Sequence, residues 1–128
     1  MENILSIGFT GNALLLLLGL LFIFHWLVLF GMIPYDIVWA GKIKNRKQLV
    51  KMESISILVL ILTGMIVCLK MEYLNFSLRP TGGMWFTFVL FTLNTIGNLT
   101  AKNPIEKYGF GLLTIVIALL SFRLAIAP

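Results

Sequence analysis

Apolar residues gather into four runs along this chain, and charges fall almost wholly between them. The runs cover about residues 12–33, 53–69, 84–100 and 108–127. Each is well beyond the roughly ten residues of a membrane β-strand, and none alternates strictly between apolar and polar, so the pattern predicts helices. The expected fold class is all-α: an integral membrane bundle of four transmembrane helices, forming a single domain over residues 1–128. The first helix has room to continue to Ala40 past a kink at Pro34, because proline removes one helical donor. The two middle runs are short for a hydrocarbon core of about 30 Å, so they stand nearly upright or borrow interfacial residues. Arg79–Pro80–Thr81–Gly82–Gly83 is a strong turn signal before the third helix, and Pro104 is placed to start the fourth.

Composition gives the same setting. Hydrophobic residues make up 59% of the 128 and charged residues 12%, where a soluble domain carries about 25% charged. The net charge of +5 is no nucleic-acid footprint, because half of the basic residues cluster in one short connection: Lys42, Lys44, Arg46, Lys47 and Lys51. Basic residues beside a span mark the cytoplasmic side and meet anionic headgroups. Lys102 and Lys107 add to the same side, which places both termini outside the cytoplasm of a cell membrane. The Met1–Thr10 segment has Glu2 and no basic residue, so the first run reads as a retained span rather than a signal peptide. Cys68 is the single cysteine, and His25 the single histidine, so neither an intrachain disulfide nor a clustered metal site is expected, and no cofactor is implied.

Against that apolar background a few residues carry candidate chemistry. His25 lies well inside the first helix, where an imidazole must face protein or water; it is a proton relay or ligand contact, or else a hydrogen-bonded bridge between helices. Asp36 follows eleven positions later, close to three full turns, so an unbroken helix would put both on one face. A salt bridge to Lys42 or Lys44, or a hydrated carboxylate at the membrane boundary, explains Asp36 without function. Asn94 and Asn98 sit four apart on the third helix, with Thr87 extending their stripe and Thr95 flanking it. Amides both donate and accept, so this stripe either lines a polar pathway or acts as interhelical glue. Gly111, Thr114, Ala118, Ser121 and Ala125 form a small-residue seam on the fourth helix, which suits close packing within the monomer or between copies. Glu53 reads as an acid opening the second helix, favourable to the helix dipole.

Thr92–Leu93–Asn94–Thr95–Ile96–Gly97 loosely resembles a Thr-Leu-x-x-Asn-x-x-Gly stretch of small dual-topology fluoride channels. The family's Gly-rich Thr-Thr-Phe-Ser segment has no counterpart, and the charge asymmetry opposes dual insertion, so that assignment is rejected. Asn98–Leu99–Thr100 with Lys102–Asn103–Pro104 is similar to loops of the DoxX-like group of small four-span proteins; the resemblance covers a handful of residues and carries no site.

Two functions fit these residues. One is a bundle that binds or translocates a small polar ligand or ion, with transport calling for a homo-oligomer because four helices leave little room for a pore. The other is a non-catalytic accessory subunit, immunity-type or complex-stabilising, that pairs with a partner membrane protein. An enzyme acting on lipid or quinone would need an acid–base constellation, and one histidine with one distant aspartate is thin, so the reading leans away from catalysis. The membrane setting has a direct check. Vesicles washed in alkaline carbonate should retain the chain in the pellet, whereas monodisperse protein in detergent-free buffer would overturn the account.

Overall fold

Four α-helices carry the described part of the chain, residues 6–34, 38–74 and 81–127 of a computed structural model, with no strand among them. Helix α1 spans Ile7–Leu29. The Ser6 hydroxyl accepts the Phe9 amide at 3.1 Å, supplying a partner that hydrocarbon would not. The helix closes at Leu29, ahead of the expected Ile33, and does not run on to Ala40, which lies in a separate 3-10 turn at Trp39–Gly41. Gly31, not Pro34, decides this. At φ +81° it is left-handed; its amide reaches the Val28 carbonyl at 3.0 Å and the Met32 amide reaches Leu27 at 2.9 Å, the paired bonds that end a right-handed helix.

Helix α2 spans Arg46–Lys70 and starts well before the expected residue 53. Asn45 and Gln48 begin it reciprocally: Asn45 Oδ1 accepts the Gln48 amide at 2.8 Å, and Gln48 Oε1 accepts the Lys44 amide at 2.9 Å. Arg46, Lys47 and Lys51 therefore ride on the first turns of α2 instead of in a loop. At the far end Glu72, with φ +61°, plays the part of Gly31, and the Tyr73 amide bonds the Cys68 carbonyl at 2.9 Å. Helix α3 spans Thr81–Leu99. A wide π-helical turn, Ile105–Phe110, then runs into α4, Gly111–Ala125. Asn103 Oδ1 accepts the amides of Ile105 at 2.9 Å and Glu106 at 3.4 Å, and Pro104 follows it at the helix start, as the sequence predicts.

Among the described residues three segments are long and apolar enough to cross a membrane: α1, α2 and the continuous Ile105–Ala125. The polar member of the bundle is α3, interrupted by Asn94, Asn98 and its threonines. Neighbours alternate in direction. Tyr73 Oη donates to Asn12 Oδ1 at 2.5 Å, Lys70 Nζ donates to the Ala127 carbonyl at 2.8 Å, and the Trp85 and Phe122 rings meet at 5.7 Å. These contacts tie the start of α1 and α3 to the end of α2 and α4.

That half of the bundle has a packed apolar core, flanked by an open apolar groove of about 400 Å³ between α1 and α2. Leu14, Leu18, Leu21, Leu60, Val67, Met84, Phe91, Ile117 and Leu124 form its core. Its hydroxyls stay local: Thr63, Thr87 and Ser121 donate to carbonyls of their own helices at 3.1, 3.0 and 2.8 Å. Helix α4 buries the seam Gly111, Thr114, Ala118, Ser121 and Ala125 inside the chain. Gly111 permits the close approach of α3, since a Cβ there would lie 2.7 Å from Leu99 Cδ2. The seam thus serves packing within one molecule. In this arrangement Ile117→Ala should cost about 2–5 kcal/mol through the cavity it leaves. Leu119→Ala, at a position 61% exposed to the surroundings, should change little. Unfolding in mixed detergent micelles measures both.

Candidate functional site

The other half of the bundle is built differently. A cavity of about 570 Å³ lies there, bounded by α1, α2, α3 and the π-helical turn. Leu21, Phe24, Val59, Leu60, Leu90, Phe91 and Phe110 give it apolar walls, and His25, Ser56, Asn94, Asn98 and Glu106 give it polar ones. Ile55, Leu93 and Asn94 line it and are also exposed, so the cavity has a side opening between α2 and α3, the neighbouring helices that touch least. Trp39 and Lys42, from the connection between α1 and α2, stand at its end.

The polar wall is organised by Glu53. This carboxylate is fully buried, yet both oxygens are engaged. His25 Nδ1 lies 2.5 Å from Oε2, and Trp39 Nε1 donates to Oε1 at 3.1 Å. One acid thereby joins α1, α2 and the 3-10 turn. Trp39 needs that anchor: its φ of +55° is the left-handed region, unusual for a bulky side chain. Val28, Val38, Ile43 and Leu49 pack beneath it and hold the connection against the helix ends.

The sequence-derived candidates divide by this geometry. His25, Asn94 and Asn98 share the cavity wall. Asn94 makes no side-chain hydrogen bond among the described residues, while Asn98 Nδ2 reaches Thr114 Oγ1 only at 3.4 Å. Thr95 lies behind the wall, its Oγ1 2.8 Å from the Phe91 carbonyl oxygen and 3.0 Å from Thr114 Oγ1. Thr87 is buried in the packed half, away from the cavity. Asp36 lies outside the described residues. Lys42 faces the cavity, whereas Lys44, Arg46, Lys47 and Lys51 are exposed around the same end.

No family model, curated protein or solved structure matches this chain. The geometry of the cavity therefore carries the functional argument alone.

Sequence reasoning missed Glu53, Ser56, Trp39 and Glu106 as parts of this site. Glu53 was legible once the Asn45–Gln48 pair was taken as the helix start: an acid two turns inside a span does not serve a helix terminus. Glu106 is 5% exposed and belongs to the π-helical turn. Glu106, Phe110 and Thr114, each four residues apart, lie along the cavity on one face of the π-helical turn and the start of α4. No spacing rule signals such a turn. Replacement Glu53→Gln preserves the shape but offers an amide nitrogen where Trp39 or His25 requires an acceptor. It should destabilise the bundle by about 1–3 kcal/mol, read from the unfolding midpoint. Trp39→Phe, which removes a single donor, should cost less.

Proposed function

We propose that this protein is a membrane-embedded binder of a small amphiphile, held in the cavity between α1, α2 and α3. The observation that carries the reading is the Asn94 amide, which stands on the wall of a 570 Å³ space without a hydrogen bond to any described residue. Hydrocarbon cannot satisfy an amide, so a ligand or water must. A subunit whose asparagines serve only as glue would direct them at neighbouring helices instead.

Shape supports a ligand with two characters. The walls are mostly aliphatic and aromatic, and the polar groups collect toward the loop end, the usual composition of a small-molecule site. The side opening between α2 and α3 gives access from the bilayer. Binding is favoured over passage, because Leu21, Leu60 and Phe91 belong both to the cavity wall and to the packed core beyond it. By the excess of basic residues, the loop end of the cavity faces the cytoplasm, and the exposed Lys44, Arg46 and Lys47 meet anionic headgroups around it.

Gly97 offers a clean test. It lines the cavity, and a Cβ on it meets nothing within 4 Å. Gly97→Phe should therefore fill the space without disturbing the fold. The fluorescent amphiphile 1-aminoanthracene should brighten on binding the wild-type protein in nanodiscs and bind Gly97→Phe at least tenfold more weakly. Equal titrations for the two proteins would refute the reading.

A further inference from the structure

The geometry assigns the cavity a ligand whose polar head is a hydroxyl group, received by His25 Nε2 and positioned through Glu53. This inference rests on the ligand-binding reading and adds the chemistry of the head group. It begins from the two faces of one imidazole. Nδ1 is committed to Glu53 Oε2, and that contact is the ring's only hydrogen bond among the described residues. Glu53 Oε1 in turn accepts from the Trp39 indole, which can only donate. A carboxylate accepting at both oxygens sets the ring proton on Nδ1 and leaves Nε2 as the atom offered to the cavity that His25 lines. Glu53 is thus a positioning residue: it fixes the tautomer and the plane of the ring from outside the cavity.

The other polar groups on the wall narrow the head group further. The Asn94 amide and the Ser56 hydroxyl have no side-chain partner among the described residues. An amide and a hydroxyl each donate and accept. An ammonium head only donates and a ketone or ester only accepts, so either would leave part of this set unmatched. A hydroxyl donates to the bare Nε2 and accepts from the amide at once. His25 and Ser56 are half-buried and Asn94 stands at the opening, so a head group that leaves them unmatched forgoes hydrogen bonds in a mostly apolar cavity, and the match bears on specificity as well as affinity. The aromatic side chains Phe24, Phe91 and Phe110 accommodate the apolar body behind it.

The chain has one histidine, so selective ¹⁵N labelling of histidine gives one pair of ring-nitrogen signals. The full-length protein in lipid nanodiscs is titrated with 4-hexylphenol and with hexylbenzene, which has the same body and no hydroxyl, and the displacement of 1-aminoanthracene is followed in parallel. The expected result has the proton on Nδ1, the Nε2 signal moving saturably with 4-hexylphenol alone, and hexylbenzene displacing the fluorophore at least tenfold more weakly. Glu53→Gln should erase the preference for the Nδ1 proton; because the comparison of the two ligands uses the unaltered protein, its outcome stands even if that variant does not fold. Equal displacement by both compounds with Nε2 unmoved, or a ring proton found on Nε2, overturns the hydroxyl assignment and leaves the cavity reading intact. Failure of either compound to displace the fluorophore, together with no fluorophore binding at all, overturns both.

Discussion

A buried carboxylate surrounded by hydrocarbon must find all its partners in the protein, and the Glu53 side chain does so by drawing three separate segments together. His25 comes from α1, Trp39 from the 3-10 turn, and Glu53 itself from the second turn of α2. Removing any one would leave a polar atom of the others exposed to an apolar interior. That shared dependence fixes how the first connection folds back over the bundle and where the polar wall of the cavity stands.

The same constraint separates the two halves of the molecule. In the packed half, threonine and serine hydroxyls satisfy themselves on carbonyls one turn back, so they need no neighbour and open no path. In the open half, polar groups reach across segments, and a few of them end at the cavity rather than at another side chain. A bundle built only for stability would use the first solution throughout. The second appears where α2 and α3 part and where the π-helical turn widens the start of α4. Both departures from regular packing fall at the same place, which is where deviations from ideal geometry have most to do with function.

The candidate site was partly legible in the sequence because intramembrane polar residues are rare enough to single out. His25, Asn94 and Asn98 were found this way, and they meet on one wall. Thr87 shares the helical face by spacing but sits in the packed half. Glu53 was misread because the helix start was placed by hydropathy; the polar first turns of α2 look like loop until the Asn45–Gln48 exchange is seen. Pro34 drew attention as a break point, while the actual stop came from Gly31, whose left-handed backbone a hydropathy pattern does not record.

The amino-acid sequence by itself determined the solvent, the helical class and the number of helices, because apolar run length and the backbone's need for internal hydrogen bonds leave few alternatives. It also determined which end of the bundle is basic. Only the tertiary structure decided that His25 has a carboxylate behind it, that the seam of α4 is used within the chain, and that α2 and α3 leave a space. Those outcomes depend on the rotation and separation of helices distant in sequence, and many residues acting together set them through packing.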